Sequence, residues 1–300
     1  MSSPESPQDV YARLTTRVDP SRGYPLWFPE PKSTSPKDYH NDRLRIGDVG
    51  IVAEDGSFDV FFNICLPKDH PLHQSHGVPE NFHQVVLSAW DLRQFPAADS
   101  ARHVVSTCSS SEEGAILVLP KGAGKTDLAN KLIFRSEALR HVLSWYAFAY
   151  LNLGQSTISN DSLYLITGYH KASSWSVATF SDAGGGTSLT ANFTAGEVMN
   201  GNIRGAYSWQ VTNSMHWRVG PEEGYNRDRR NQAVSIQGYK ITVGEGKLAS
   251  LICRRVKVSS RLPGTKFNPS NPMLKFLSRA TSSKSGRQGS GEVDETNFRH

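Results

Sequence analysis

The apolar positions of this chain change period several times. In "IGDVGIVAEDGSFDVFFNIC" two apolar stretches flank Asp55-Gly56, the pair a tight hairpin favours because its glycine tolerates positive φ. Phe58, Val60 and Phe62 alternate with Asp59 and Phe61, which gives the returning strand a strongly apolar face. "VVLSAWDL", "HVVSTC" and "AILVLP" read as further strands, the last two forming a second hairpin across 101–119 through "SSSEEG". The period then becomes helical. Leu139, Val142, Leu143, Tyr146, Tyr150 and Leu153 fall on one stripe and predict a helix over about residues 127–153, with Thr126 or Asp127 as its start cap and Gly154 at its end. Strand-like runs follow: "SLYLITGY", "SWSVATF", "TSLTANFTA", "AYSWQVT", "MHWRVG", "AVSIQGYKITV" and "KLASLICRRVKV". "DAGGG" at 182–186 turns one pair of them into a hairpin, and the loop "GPEEGYNRDRRNQ" separates two later strands.

One strong helix among strands joined by short turns predicts an α+β fold: mostly antiparallel sheet built from hairpins, with one long helix packed on it. In "YPLWFPEP", Pro25, Pro29 and Pro31 exclude a helix and favour an extended segment anchored by Trp27 and Phe28. The expected organisation is a flexible polar lead over 1–20, one globular domain over 21–258 and a disordered basic tail over 259–300. From about Ser259 the chain has too few apolar residues to offset its ordering entropy.

Composition sharpens this picture. An apolar share of 37% suffices for a sizeable core, so the chain is globular. No run approaches the ~18 apolar residues of a membrane helix, and the start lacks a secretory pattern. Cys65, Cys108 and Cys253 are scattered in apolar settings and read as reduced core residues, which suits a cytoplasmic protein. The net charge of +5 is local. Residues 254–291 carry nine Lys/Arg and no acid, whereas residues 1–253 carry 23 Lys/Arg against 25 Asp/Glu. The basic pI therefore belongs to the tail, which suits weak association with anionic lipid.

Candidate chemistry changes the picture little. "LPKGAGKT", residues 119–126, matches the last three positions of a phosphate-binding loop at Gly124, Lys125 and Thr126. The required first glycine is Leu119, however, and Pro120 has no N–H to donate and keeps Leu119 extended. His70, His73, His76 and His83 carry zinc-ligand chemistry, but Pro71, Gly77 and Pro79 make their segment a loop, with no thiolate or carboxylate group to complete a shell. Tyr225 beside Arg227, Arg229 and Arg230 is diluted by Asp228, Glu222 and Glu223, against a nucleic-acid grip. Asp48 and Asp59 are carboxylates in one hairpin that a fold could pair as acids. Trp145, Trp175, Trp209 and Trp217 are spread over separate elements, as core and interface aromatics are. No hydrolase elbow or zinc-protease pair occurs, and no catalytic, cofactor or metal residue is assigned.

"YPLWFPEP", "IGDVGIVAEDGSFDVFFNIC", "GAILVLPKGAGKTDL", "SWYAFAYLNLG", "SLYLITGYHKASSWSVATF" and "NQAVSIQGYKI" occur in that order, from about Tyr24 to Val243. In this the chain resembles a family of uncharacterised proteins of mushroom-forming (basidiomycete) fungi. The resemblance implies no activity, cofactor or catalytic residue. It implies that the stretch after Leu119-Pro120 is variable and Lys125-Thr126 incidental. The "LYLITG" strand, amphipathic hairpins and late "GYKITV" strand are also similar in pattern to gasdermin-type pore formers. The expected function is a non-enzymatic intracellular recognition or scaffolding module with a protein partner. The alternatives are a nucleotide binder at 119–126 and a membrane-perturbing protein.

Overall fold

The computed structural model describes residues 5–30, 43–97, 102–108, 113–156, 158–181, 198–199, 202–203, 215–221, 229–243 and 251–255. The expected tail over 259–300, the "DAGGG" turn, "TSLTANFTA", "AYSWQVT", Trp209, Tyr225 and Arg227 lie outside these residues.

The expected α+β class holds. The elements are α1 (Pro7–Val18), β1 (Tyr24–Pro25), β2 (Asp48–Val52), β3 (Phe58–Asn63), β4 (Leu92–Phe95), β5 (Arg102–Cys108), β6 (Glu113–Leu119), β7 (Ala123–Leu128), α2 (Lys131–Ala147), β8 (Leu163–Ala172), β9 (Trp175–Ser181), β10 (Val198–Met199), β11 (Asn202–Ile203), β12 (Met215–Gly220), β13 (Gln232–Val243) and β14 (Leu251–Arg255). Every described ladder is antiparallel.

The larger sheet forks along β8. The first half of β8 pairs with β2, and β2 with β3; the second half pairs with β7, and β7 with β4. The other edge of β8 runs along β13, whose far side takes both β1 and β14. The smaller sheet has the order β12–β9–β6–β5. In chain order the path changes between these two sheets from β4 to β5, β6 to β7, β8 to β9 and β12 to β13.

Local chemistry explains where the elements stop and start. The expected hairpins at Asp55-Gly56 and across 101–119 form, and Gly56 closes the first with φ of 79°. In the segment read as the strand "VVLSAWDL" only Leu92 onward is strand. The Asp91 carboxylate accepts from the Ser88 N–H and hydroxyl, both at 2.8 Å, and this capping folds Ala89–Asp91 into a helical turn. The long helix starts at Lys131 instead of 127, because Thr126 and Asp127 are held in β7 between β4 and β8. Asn130 is its cap, accepting from the Leu132 N–H at 3.2 Å. One wider turn at Phe148–Asn152 and Gly154 with φ of 65° end it. Its buried stripe is Phe134, Ala138, Val142, Trp145 and Tyr146; Leu139, Leu143, Tyr150 and Leu153 sit at the margin.

The lead expected to be flexible contains α1. Ser6 caps it, Pro7 takes the first helical position where no N–H is missed, and Asp9 and Arg17 complement the helix dipole. Tyr11 and Leu14 are fully buried in a core with Trp27, Leu117, Trp175 and Val177, Tyr11 meeting Trp27 edge to face at 5.3 Å. The opposite core lies under α2, where Phe62 contacts Trp145 and Phe148 at 5.6 and 5.7 Å. Both faces of β8 are buried: Leu163 and Leu165 lie toward α2, Tyr164 and Ile166 toward Leu26 and Ala12. Extended "YPLWFPEP" is anchored as expected, Trp27 and Phe28 both donating to the Gly56 carbonyl.

Candidate binding surface

The fork of β8 brings four strands side by side, in the order β4–β7–β8–β13. Cross-strand partners share a face, so two rows run across the platform. One is Phe95–Lys125–His170–Ser235 and the other Arg93–Asp127–Gly168–Gln237. In the second row Gly168 leaves a gap between two polar side chains. A Cβ there would lie 2.9 Å from both the Asp127 Oδ1 and the Gln237 Oε1. Asp127 and Gln237, which flank it, also line a cleft of about 220 Å³ walled by the helical turn after α1, the start of α2, Thr167 and Tyr239.

Charge in the cleft is concentrated on three side chains. Lys131 Nζ is 2.6 Å from the Asp127 Oδ1, and Lys125 Nζ is 3.7 Å from the Oδ2, so two ammonium groups share one carboxylate. Gln237 donates its amide to the Ser21 carbonyl. Its Oε1 is buried without a hydrogen-bond partner among the described residues. The Tyr239 hydroxyl donates to the Lys131 carbonyl at 3.1 Å and ties α2 to β13.

In the neighbouring row Ser235 and His170 are 2.9 Å apart, Oγ to Nδ1, the contact a nucleophile and base would make. Ser235 is buried, however. Burial, with Arg22 and Lys125 nearby, lowers the His170 pKa to about 4, too weak a base at neutral pH to activate a hydroxyl. The pair is a packing contact of the sheet.

The sequence-derived candidates separate. Gly124, Lys125 and Thr126 are strand residues of β7, with ladders on both sides. Their backbone groups serve the sheet and do not gather around a phosphate, so the geometry of a phosphate-binding loop is not met; Lys125 instead lines the cleft. His73 accepts from the Asn63 N–H through Nε2 and so donates through Nδ1 to the Pro67 carbonyl, which fastens its loop to β3. Asp48 accepts from the Asn63 amide and the Arg45 N–H, while Asp59 pairs with Ile51 across β2, so the two carboxylates are not brought together. No group of three His, Cys, Asp or Glu among the described residues is arranged to hold a metal ion. Arg229 and Arg230 are exposed. Trp145 and Trp175 are core, and Trp217 is half exposed.

Trp90 carries no signal of its own in the sequence. It is 92% exposed, beside β4, with Val86, Phe95 and Leu132 also exposed. A hydrogen bond of 2.8 Å from the Ala129 N–H to the Asp91 carbonyl joins the Trp90 turn to the chain entering α2. Among the described residues β4 pairs with β7 alone. Nothing matches this chain in comparisons with protein-family models, with curated proteins or with solved structures.

Proposed function

We propose that the protein is a non-enzymatic intracellular recognition module, and that it takes an extended segment of a partner protein along the edge of β4. The observation that carries this reading is Trp90, nearly fully exposed next to a strand that has one ladder partner among the described residues. A large apolar side chain in water is unfavourable unless something covers it, and tryptophan is among the residues enriched at interface anchors. An added strand would satisfy the outward N–H and C=O groups of β4, as in other strand-addition complexes. Exposed Arg93 favours an acidic residue opposite it.

Panning a display library of random linear peptides tests the reading. Enriched peptides are expected to bind the full chain, and Trp90→Ala to weaken them at least tenfold. No enrichment, or binding indifferent to that substitution, overturns it.

A second reading rests on the nine Lys/Arg and no acid of residues 254–291: weak, salt-reversible association with anionic lipid. No described helix is long and apolar enough to cross a membrane.

A further inference from the structure

We propose that the cleft above Gly168 is a binding site for a small polyhydroxylated oxyanion, a sugar acid or sugar phosphate. This site is separate from the β4 edge, and its ligand is independent of any protein partner.

The chemistry follows from what converges there. Asp127 Oδ1 and Gln237 Oε1 both face the space over Gly168. They are acceptors, so the group that sits between them must donate. Gln237 Oε1 is buried without a partner among the described residues, although its amide is fixed on the Ser21 carbonyl and so cannot turn to swap the two ends. A hydroxyl donor relieves that acceptor. Asp127 keeps a second lone pair free of its contact with Lys131. A purely cationic donor is disfavoured, because Lys125 and Lys131 already stand beside the cleft.

The charge balance selects an anion. Two ammonium groups against one carboxylate leave the lining with one surplus positive charge. Lys125 is the looser partner, at 3.7 Å from Asp127 against 2.6 Å for Lys131. Its other contact is the Phe95 ring, 5.8 Å from its ammonium, so it gives up less than Lys131 in turning toward an incoming oxyanion. A cleft of about 220 Å³ is smaller than the roughly 300–1,000 Å³ of sites for drug-sized ligands, so the molecule is of monosaccharide size. Gly168 is the residue that makes room: any side chain there closes the gap between Asp127 and Gln237.

Isothermal titration of the full chain is the test, with D-gluconate and D-ribose 5-phosphate as probes, and inorganic phosphate and D-ribose as controls. Either probe is expected to bind at least tenfold tighter than both controls. Binding is expected to fall at least tenfold in Lys125→Gln and in Gln237→Met, which removes the acceptor and keeps the size. Circular dichroism checks that both variants fold. If one does not, amide shifts of residues 125–131 and 237–239 in the unaltered protein are expected to move with the probe and stay put with D-ribose. Equal binding of inorganic phosphate, equal binding of D-ribose, or no detectable binding of either probe overturns the proposal. So does a probe response unchanged by both substitutions.

Discussion

Single side chains hold unlike parts of this fold together. Tyr146 is buried, donates to the Ile241 carbonyl at 2.8 Å and accepts from the Leu163 N–H at 3.3 Å. It thus serves one backbone group on β13 and one on β8 from α2. Tyr146→Phe leaves both without that partner, and chemical denaturation is expected to show a loss of about 1–3 kcal/mol. His170 makes stability depend on pH. Its pKa in the fold is about 4 against 6.5 in the unfolded chain. Between these values the unfolded chain binds the proton and the native one does not. The stability attached to His170 is therefore complete above about pH 6.5 and is lost as pH falls toward 4, on the order of 3 kcal/mol in all. Denaturant midpoints at pH 7 and pH 4.5 are expected to differ less in His170→Asn than in the natural protein; equal differences would discard this account. At higher pH the sign reverses for Tyr11, Tyr24, Tyr146 and Tyr164, whose hydroxyls burial raises above their usual value: above about pH 10 the unfolded chain ionises first, and stability falls.

At the scale of elements, α1 is the structural floor of the smaller sheet. Leu14→Ala is expected to cost about 2–5 kcal/mol, and removal of residues 1–19 to expose the Trp27–Trp175 core and abolish the near-ultraviolet dichroism of a packed protein. A truncated chain with unchanged melting would contradict that. The element also shows what could be read in the sequence. Hairpins and α2 were legible because Asp55-Gly56 and a 3.6-residue stripe are local signals. In α1 the apolar signal is short, and Pro7 looks like a breaker until its place at the first helical position is known. The start of α2 falls later than the local signal implies because Thr126 and Asp127 are good caps locally but are claimed by two ladders. The cleft was illegible for a different reason. Its residues come from four separated stretches, and Asp127 and Gln237 flank Gly168 only after β7 and β13 have met on β8. Exposure of Trp90 is likewise a property of the finished fold, since in the sequence a tryptophan beside Val85 and Leu87 looks like core.

At the scale of the molecule, charge and connectivity set the behaviour. Each Lys/Arg near an anionic surface contributes on the order of 1 kcal/mol at most, less as salt rises. Liposomes containing phosphatidylserine are therefore expected to retain the full chain in low salt, release it in high salt and keep an encapsulated dye throughout. Leakage would favour the membrane-perturbing alternative over a recognition module. The placement of β1 has its own outcome in the cell. Tyr24 pairs with Ile236, about 210 residues further on, and the central strand β8 also lies unpaired on its β13 side until then. At the ~5–20 residues per second of translation, the nascent chain carries its first strand without a partner for on the order of 10–40 s. During that interval α1, Trp27 and the β2–β3 hairpin have no finished core to enter. Synthesis in an extract stripped of chaperones is expected to leave most of the product insoluble, and holding factors added while ribosomes are still elongating, not after release, to restore it.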